Sequence, residues 1–196
     1  MGASIESIQS TSLLFHSTGR SVYSYLNSGH NDNITSTDIK KSFGLNDEQL
    51  KLKIIKFRRY EIPTISNDEN LDWAIFGIGL FNLITFSDYD YPYHWFLIGV
   101  SEQYKDKDGN YKELYYLIEK TEDCKNVARF NSEDEIKNKE NSNYNANSEF
   151  KETKYLKQDV KIEDLLHYIK YDTSDSYDLL DDNCQDFVRC LINHYC

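Results

Sequence analysis

The chain has 196 residues, of which 33 are acidic and 22 basic, giving a net charge of −11 at neutral pH. That balance disfavours a nucleic acid or an anionic membrane gripped by bulk charge. A hydrophobic share of 39% with 16 Tyr and 10 Phe excludes wholesale disorder, and 2 Pro with 8 Gly exclude collagen-like and proline-rich classes.

Residues 1–60 read as an N-terminal arm and the first structural elements, and residues 61–196 as the main domain. The first 35 residues are rich in Ser, Thr, Asn and Gly, with a short apolar patch at Leu13, Leu14 and Phe15. This stretch lacks the basic region and long apolar core of a secretory signal. Position 6 is Glu where a myristoylation signal requires Ser or Thr. Without export the expected location is cytoplasmic, and Cys124, Cys184, Cys190 and Cys196 are expected as reduced thiols. Their spacing forms no C-x-x-C pair, so neither a metal centre nor a cofactor is expected.

Thr37-Asp38 is a candidate cap for a short helix ending near Gly44. Leu50–Ile62 alternates apolar and basic residues as a half-exposed strand does, with a helix as the rival reading, and Pro63 punctuates it. Trp73–Phe86 is the longest charge-free apolar stretch. It is shorter than the roughly 20 residues a membrane helix needs, which favours a buried core element. His94–Val100 and Leu114–Lys120 are apolar runs with a polar segment between them. That segment contains Asp108-Gly109, a strong hairpin signal, so an antiparallel pair is expected.

Residues 131–149 are nearly free of apolar side chains and read as a long loop. Order resumes at Phe150. Ile162, Leu165, Leu166 and Ile169 fall at helical spacing, Tyr177–Leu180 reads as extended, and Asn183–Tyr195 reads as a helix. In this last helix Cys184, Phe187, Val188, Leu191 and Ile192 form one apolar stripe.

Asn183 is a strong N-cap residue, which places Cys184 in the first helical turn. There the helix dipole and the backbone N–H groups favour a thiolate, and the apolar stripe turns the residue toward the sheet. Asp181 and Asp182 oppose a thiolate by repulsion unless they point outward. A nucleophilic thiol needs a base. His94 is the best candidate, because it opens an expected strand directly after Tyr91-Pro92-Tyr93.

Pro92-Tyr93-His94-Trp95-Phe96-Leu97-Ile98-Gly99, a hairpin, and then Asn183-Cys184-Gln185-Asp186-Phe187-Val188 resemble the circularly permuted papain-like proteins of the NlpC/P60 superfamily. The resemblance is to the lecithin:retinol acyltransferase-like branch in particular. It covers about residues 90–192, with a polar insertion at about 122–160. It implies an α+β fold, an antiparallel sheet with packed helices. It also implies Cys184 as nucleophile, His94 as general base, and Asn183 and Tyr177 as neighbours of the nucleophile turn. The family's third polar residue, commonly His, lies on the strand after that of the catalytic His, and this chain has no His there.

A hairpin centred on Asp108-Gly109 places His94 opposite Asp123, with Glu119 on the same sheet face, since strand faces alternate. Either carboxylate could orient the imidazole, Glu119 first and Asp123 second. Gln185-Asp186 stands where the acyltransferase branch has Glu-His.

The readings that follow are a cysteine-dependent acyltransferase or hydrolase acting on an acyl lipid, a thiol peptidase on amide or isopeptide bonds, and a non-catalytic interaction module. In the third, Trp73–Phe86 and the polar loop would contact a partner or a membrane surface. Phe76-Gly77-Ile78-Gly79 is not a dinucleotide loop, because Asn82 stands where a third Gly belongs. Arg58-Arg59 reads as a solvated basic patch, and His167 as partly buried.

Overall fold

The structure is a computed structural model that describes residues 22–26, 35–63, 93–121, 124–137, 148–174 and 183–196. In chain order the elements are β1 (Val22–Leu26), α1 (Ser36–Phe43), α2 (Asp47–Leu50), β2 (Lys53–Pro63), β3 (Tyr93–Ser101), β4 (Tyr104–Lys105), β5 (Tyr111–Lys112), β6 (Tyr115–Lys120), β7 (Cys124–Phe130), α3 (Glu133–Lys137), β8 (Glu149–Lys161), α4 (Ile162–Tyr171) and α5 (Cys184–Tyr195). Six strands form one antiparallel sheet in the order β1-β7-β6-β3-β2-β8, and β4 and β5 form a separate two-stranded ribbon. The fold is α+β, an antiparallel sheet with packed helices.

Both faces of the sheet carry apolar residues, because successive side chains of a strand point to opposite sides. Phe57, Trp95, Leu97, Tyr116, Ile118 and Val127 form one core with the buried residues of α1, α4 and α5. Tyr60, Ile62, Phe96, Ile98, Val100, Leu117 and Ala128 form a second core with Ile136 of α3. The central strand β3 is therefore buried on both sides from Trp95 to Ser101. Its near-continuous apolar run follows from that position.

Side-chain caps set the starts of α1, α2 and α5. Thr35, two residues earlier than the expected Thr37, caps α1, and Gly44 ends it at φ 62°. Asn183 caps α5: its side-chain oxygen accepts the N–H groups of Gln185 at 2.8 Å and Asp186 at 3.3 Å. Ile162, Leu165, Leu166 and Ile169 are the buried residues of α4, as their spacing requires. The segment with two readings, Leu50–Ile62, is a strand over Lys53–Pro63.

Four expectations need correction. The first concerns residues 131–149, which read as one long loop but hold α3 at Glu133–Lys137; β7 and the 13-residue strand β8 lie on either side of it. Strand β8 is an edge strand, exposed along most of its length and rich in Lys, so it has no apolar face to betray it. At the opposite edge, β1 lies within what reads as an arm and pairs with β7.

The second concerns register. In the β3–β6 pairing Phe96 lies opposite Glu119, two positions away from the expected alignment. The turn is a three-residue one, with Gly109 at φ 82° and the Asp106 N–H bonded to the Asn110 carbonyl. A further one-residue slip separates the Ser101–Leu114 bond from the Tyr104–Lys112 pair.

The third concerns Arg58 and Arg59, which are not a solvated patch. Arg58 pairs with Glu133, and Arg59 pairs with Glu61 at 2.8 Å and lies over the Trp95 ring. The fourth concerns His167, which is exposed and tilts against Tyr171 on the outer side of α4. Leu13–Phe15, Trp73–Phe86, Asp123, Tyr177–Leu180, Asp181 and Asp182, for which the sequence raises expectations, lie outside the described residues.

Candidate active site

Strand β3 and helix α5 meet at the end of the sheet where β3 begins. The link is direct: Gln185 Nε2 donates to the Tyr93 carbonyl at 3.2 Å. His94 is the second residue of β3, and Cys184 is the first residue of α5. The packing of Phe187, Val188 and Leu191 in the same core as Trp95, Leu97 and Ile118 sets the helix on the sheet. Capping by Asn183 then fixes where the helix starts. The Cys184 side chain is buried, at 5% exposure.

His94 sits on the sheet face of Phe96, and Phe96 lies directly opposite Glu119. Glu119 is thus the diagonal neighbour of His94 on the adjacent strand, and the His94 Nε2 to Glu119 Oε2 distance is 3.2 Å. Glu119 is almost fully buried, at 1% exposure, whereas the imidazole keeps 23% of its surface open. With Nε2 held by the carboxylate, Nδ1 is the ring nitrogen left to face the thiol.

Electrostatics couples the three groups. Burial alone would lower the imidazole pKa. Charge and hydrogen bonding from Cys184, followed by the hydrogen bond and charge of Glu119, outweigh it, and His94 is pushed up to about 10. An imidazole that stays protonated through neutral pH beside a sulfur is the electrostatic pattern of a thiolate–imidazolium pair.

The structure therefore brings Cys184, His94 and Glu119 together. Asn183, 2% exposed, caps the turn that carries Cys184. Cys190 lies elsewhere on α5, with its sulfur 3.3 Å from the Tyr168 hydroxyl. Sequence reasoning noted Gln185 only as a departure from a motif. It is 1% exposed and joins the helix to β3.

Among the described residues, no group of three or more His, Cys, Asp or Glu side chains could hold a metal ion, and no helix is long and apolar enough to cross a membrane. Comparison of the chain with known protein families, with curated proteins and with solved structures yields no match.

Proposed function

We propose that this chain is a cysteine-dependent acyltransferase or hydrolase of the permuted papain-like type, acting on an acyl lipid through a thioester. The observation that carries the reading is the contact of His94 with Cys184, with the buried Glu119 behind the imidazole. The order of His strand before Cys helix, and the Trp that follows His94, favour the lecithin:retinol acyltransferase-like branch.

In this reading His94 takes the Cys184 proton and the thiolate attacks the ester carbonyl carbon. A C–S bond forms and the carbonyl π electrons move to oxygen. Backbone N–H groups at the start of α5, that of Cys184 among them, meet the oxyanion. Collapse of the tetrahedral species breaks the C–O bond, and the leaving alkoxide takes the proton from His94. Water or an acceptor hydroxyl or amine then attacks the thioester while His94 takes its proton; the second tetrahedral species collapses, the C–S bond breaks, and the acyl product leaves with Cys184 restored as a thiolate beside the protonated His94. Glu119 orients the ring and stabilises its charged form throughout.

The absence of the acyltransferase Glu-His pair after Cys184, where Gln185-Asp186 stands, keeps a second reading in play: a thiol peptidase on amide or isopeptide bonds. Intact-mass spectrometry after incubation with acyl esters separates the two. An acyl adduct on Cys184 from a phospholipid or p-nitrophenyl ester, absent in Cys184→Ala, supports the lipid reading. An adduct formed only from peptide or ubiquitin-like conjugates supports the second. No adduct from either class leaves the non-catalytic interaction module.

A further inference from the structure

We propose that Gln185 is a positioning residue whose side-chain amide holds the helix start bearing Cys184 against the strand start bearing His94. The proposal rests on the Cys–His reading above.

The Gln185 side chain is almost fully buried, at 1% exposure. A buried primary amide is costly unless it is hydrogen-bonded, and its Nε2 donates to the Tyr93 carbonyl at 3.2 Å. Tyr93 opens β3, ahead of the β3–β6 pairs of the described residues, which begin at Phe96 and Glu119, and its carbonyl accepts from the Gln185 amide.

The placement matters more than the bond's own strength. Gln185 directly follows Cys184, and Tyr93 directly precedes His94. The bond thus ties the two backbones one residue away from each member of the pair. Gln185 is fixed at its main chain as well, where its N–H bonds to the Asn183 side chain at 2.8 Å. A side chain clamped at both ends transmits the position of β3 to the first turn of α5. The gap between the Cys184 sulfur and the imidazole then depends on this link as well as on the apolar packing of Phe187, Val188 and Leu191.

The experiment uses the full chain and compares the parent with Gln185→Met, which keeps the volume and removes the donor. The readout is the rate of iodoacetamide alkylation at Cys184 against pH, with Cys190 and Cys196 as internal references and near-ultraviolet circular dichroism as the fold check. The expected result is a midpoint shifted up toward the free-thiol value of about 8.5. Below the midpoint, alkylation slows about tenfold for each unit of that shift, while Cys190 and Cys196 are unchanged. Gln185→Glu gives a second signature. Its carboxylate cannot donate, but its protonated form can, so Cys184 reactivity recovers in part on the acid side.

A folded Gln185→Met with the parent's pH profile overturns the proposal. Should Gln185→Met not fold, Gln185→Glu carries the test. If neither folds, Gln185 is a determinant of the fold and not of the pair's geometry, and the proposal falls. Failure of the Cys–His reading itself is seen separately, as a parent Cys184 that reacts no faster than its siblings or as a lead that survives His94→Ala.

Discussion

Opposing influences meet at His94. Burial favours the neutral ring, while Cys184 and Glu119 favour the charged one and win, raising the imidazole to about 10 from an ordinary 6.5. A raised pKa means that the folded state holds the proton more tightly than the unfolded chain. The associated stability is fully present below about pH 6.5 and is lost as pH rises through about 10. Denaturant titrations of the parent and of His94→Gln at pH 6, 8 and 10 should therefore show the largest difference at pH 6 and a shrinking one toward pH 10. Glu119→Gln keeps the shape and removes the negative charge. It should lower the imidazole pKa and narrow the pH range over which Cys184 is reactive, read as a shift of the alkaline limb of the alkylation profile.

At this scale the sequence was most informative. Asn183-Cys184 carries its own cap signal, and His94 announces itself by opening an apolar strand. Glu119 was reachable by the alternation of strand faces even with the wrong register, because a slip of two residues leaves the face unchanged. Nothing local marks Gln185, since its partner is a main-chain carbonyl 92 residues away in sequence.

Among the elements, α5 depends on its cap. Asn183→Ala should cost about 1 kcal/mol, measured by chemical denaturation, and should also slow Cys184 alkylation, because the frayed turn is the one that carries the thiol. Helix α4 ends differently. Lys125, 3% exposed, reaches from β7 to donate to the Ile169 carbonyl at 2.8 Å and to the Thr173 carbonyl at 3.0 Å. A cation at a helix C-terminus meets both the open carbonyls and the dipole. Lys125→Met should destabilise the fold by about 1–3 kcal/mol while leaving the pH profile of Cys184 in place.

Helices α1 and α5 were legible because each joins a cap signal to apolar residues at helical spacing, and α4 by its 3.6-residue apolar period alone; the short α2 and α3 carry no such period and were not. The edge strand β8 was not, since its charged, solvent-facing residues carry no period-two apolar signal. The β3–β6 hairpin was legible in type and not in register, which depended on a three-residue turn and an irregularity beyond it.

For the molecule as a whole, one sheet separates two cores, and the candidate site lies at the end of the sheet where β3 and α5 begin. Such a site is held by long-range packing, because its three members come from positions 94, 119 and 184. Leu191, 0% exposed, packs α5 into the first core. Leu191→Ala should cost about 2–5 kcal/mol and lower the thermal midpoint by roughly 2–4 °C for each kcal/mol, checked by differential scanning calorimetry.

The central claim, that His94 holds Cys184 as a reactive thiolate, is tested most directly by the pH dependence of iodoacetamide labelling at each cysteine, resolved by peptide mass spectrometry in the parent and in His94→Ala. The account predicts that Cys184 labels faster than Cys190 and Cys196 below neutral pH, with a midpoint under the free-thiol value of about 8.5, and that His94→Ala abolishes this lead. Equal labelling of the cysteines in a folded parent, or a lead that survives His94→Ala, would contradict it.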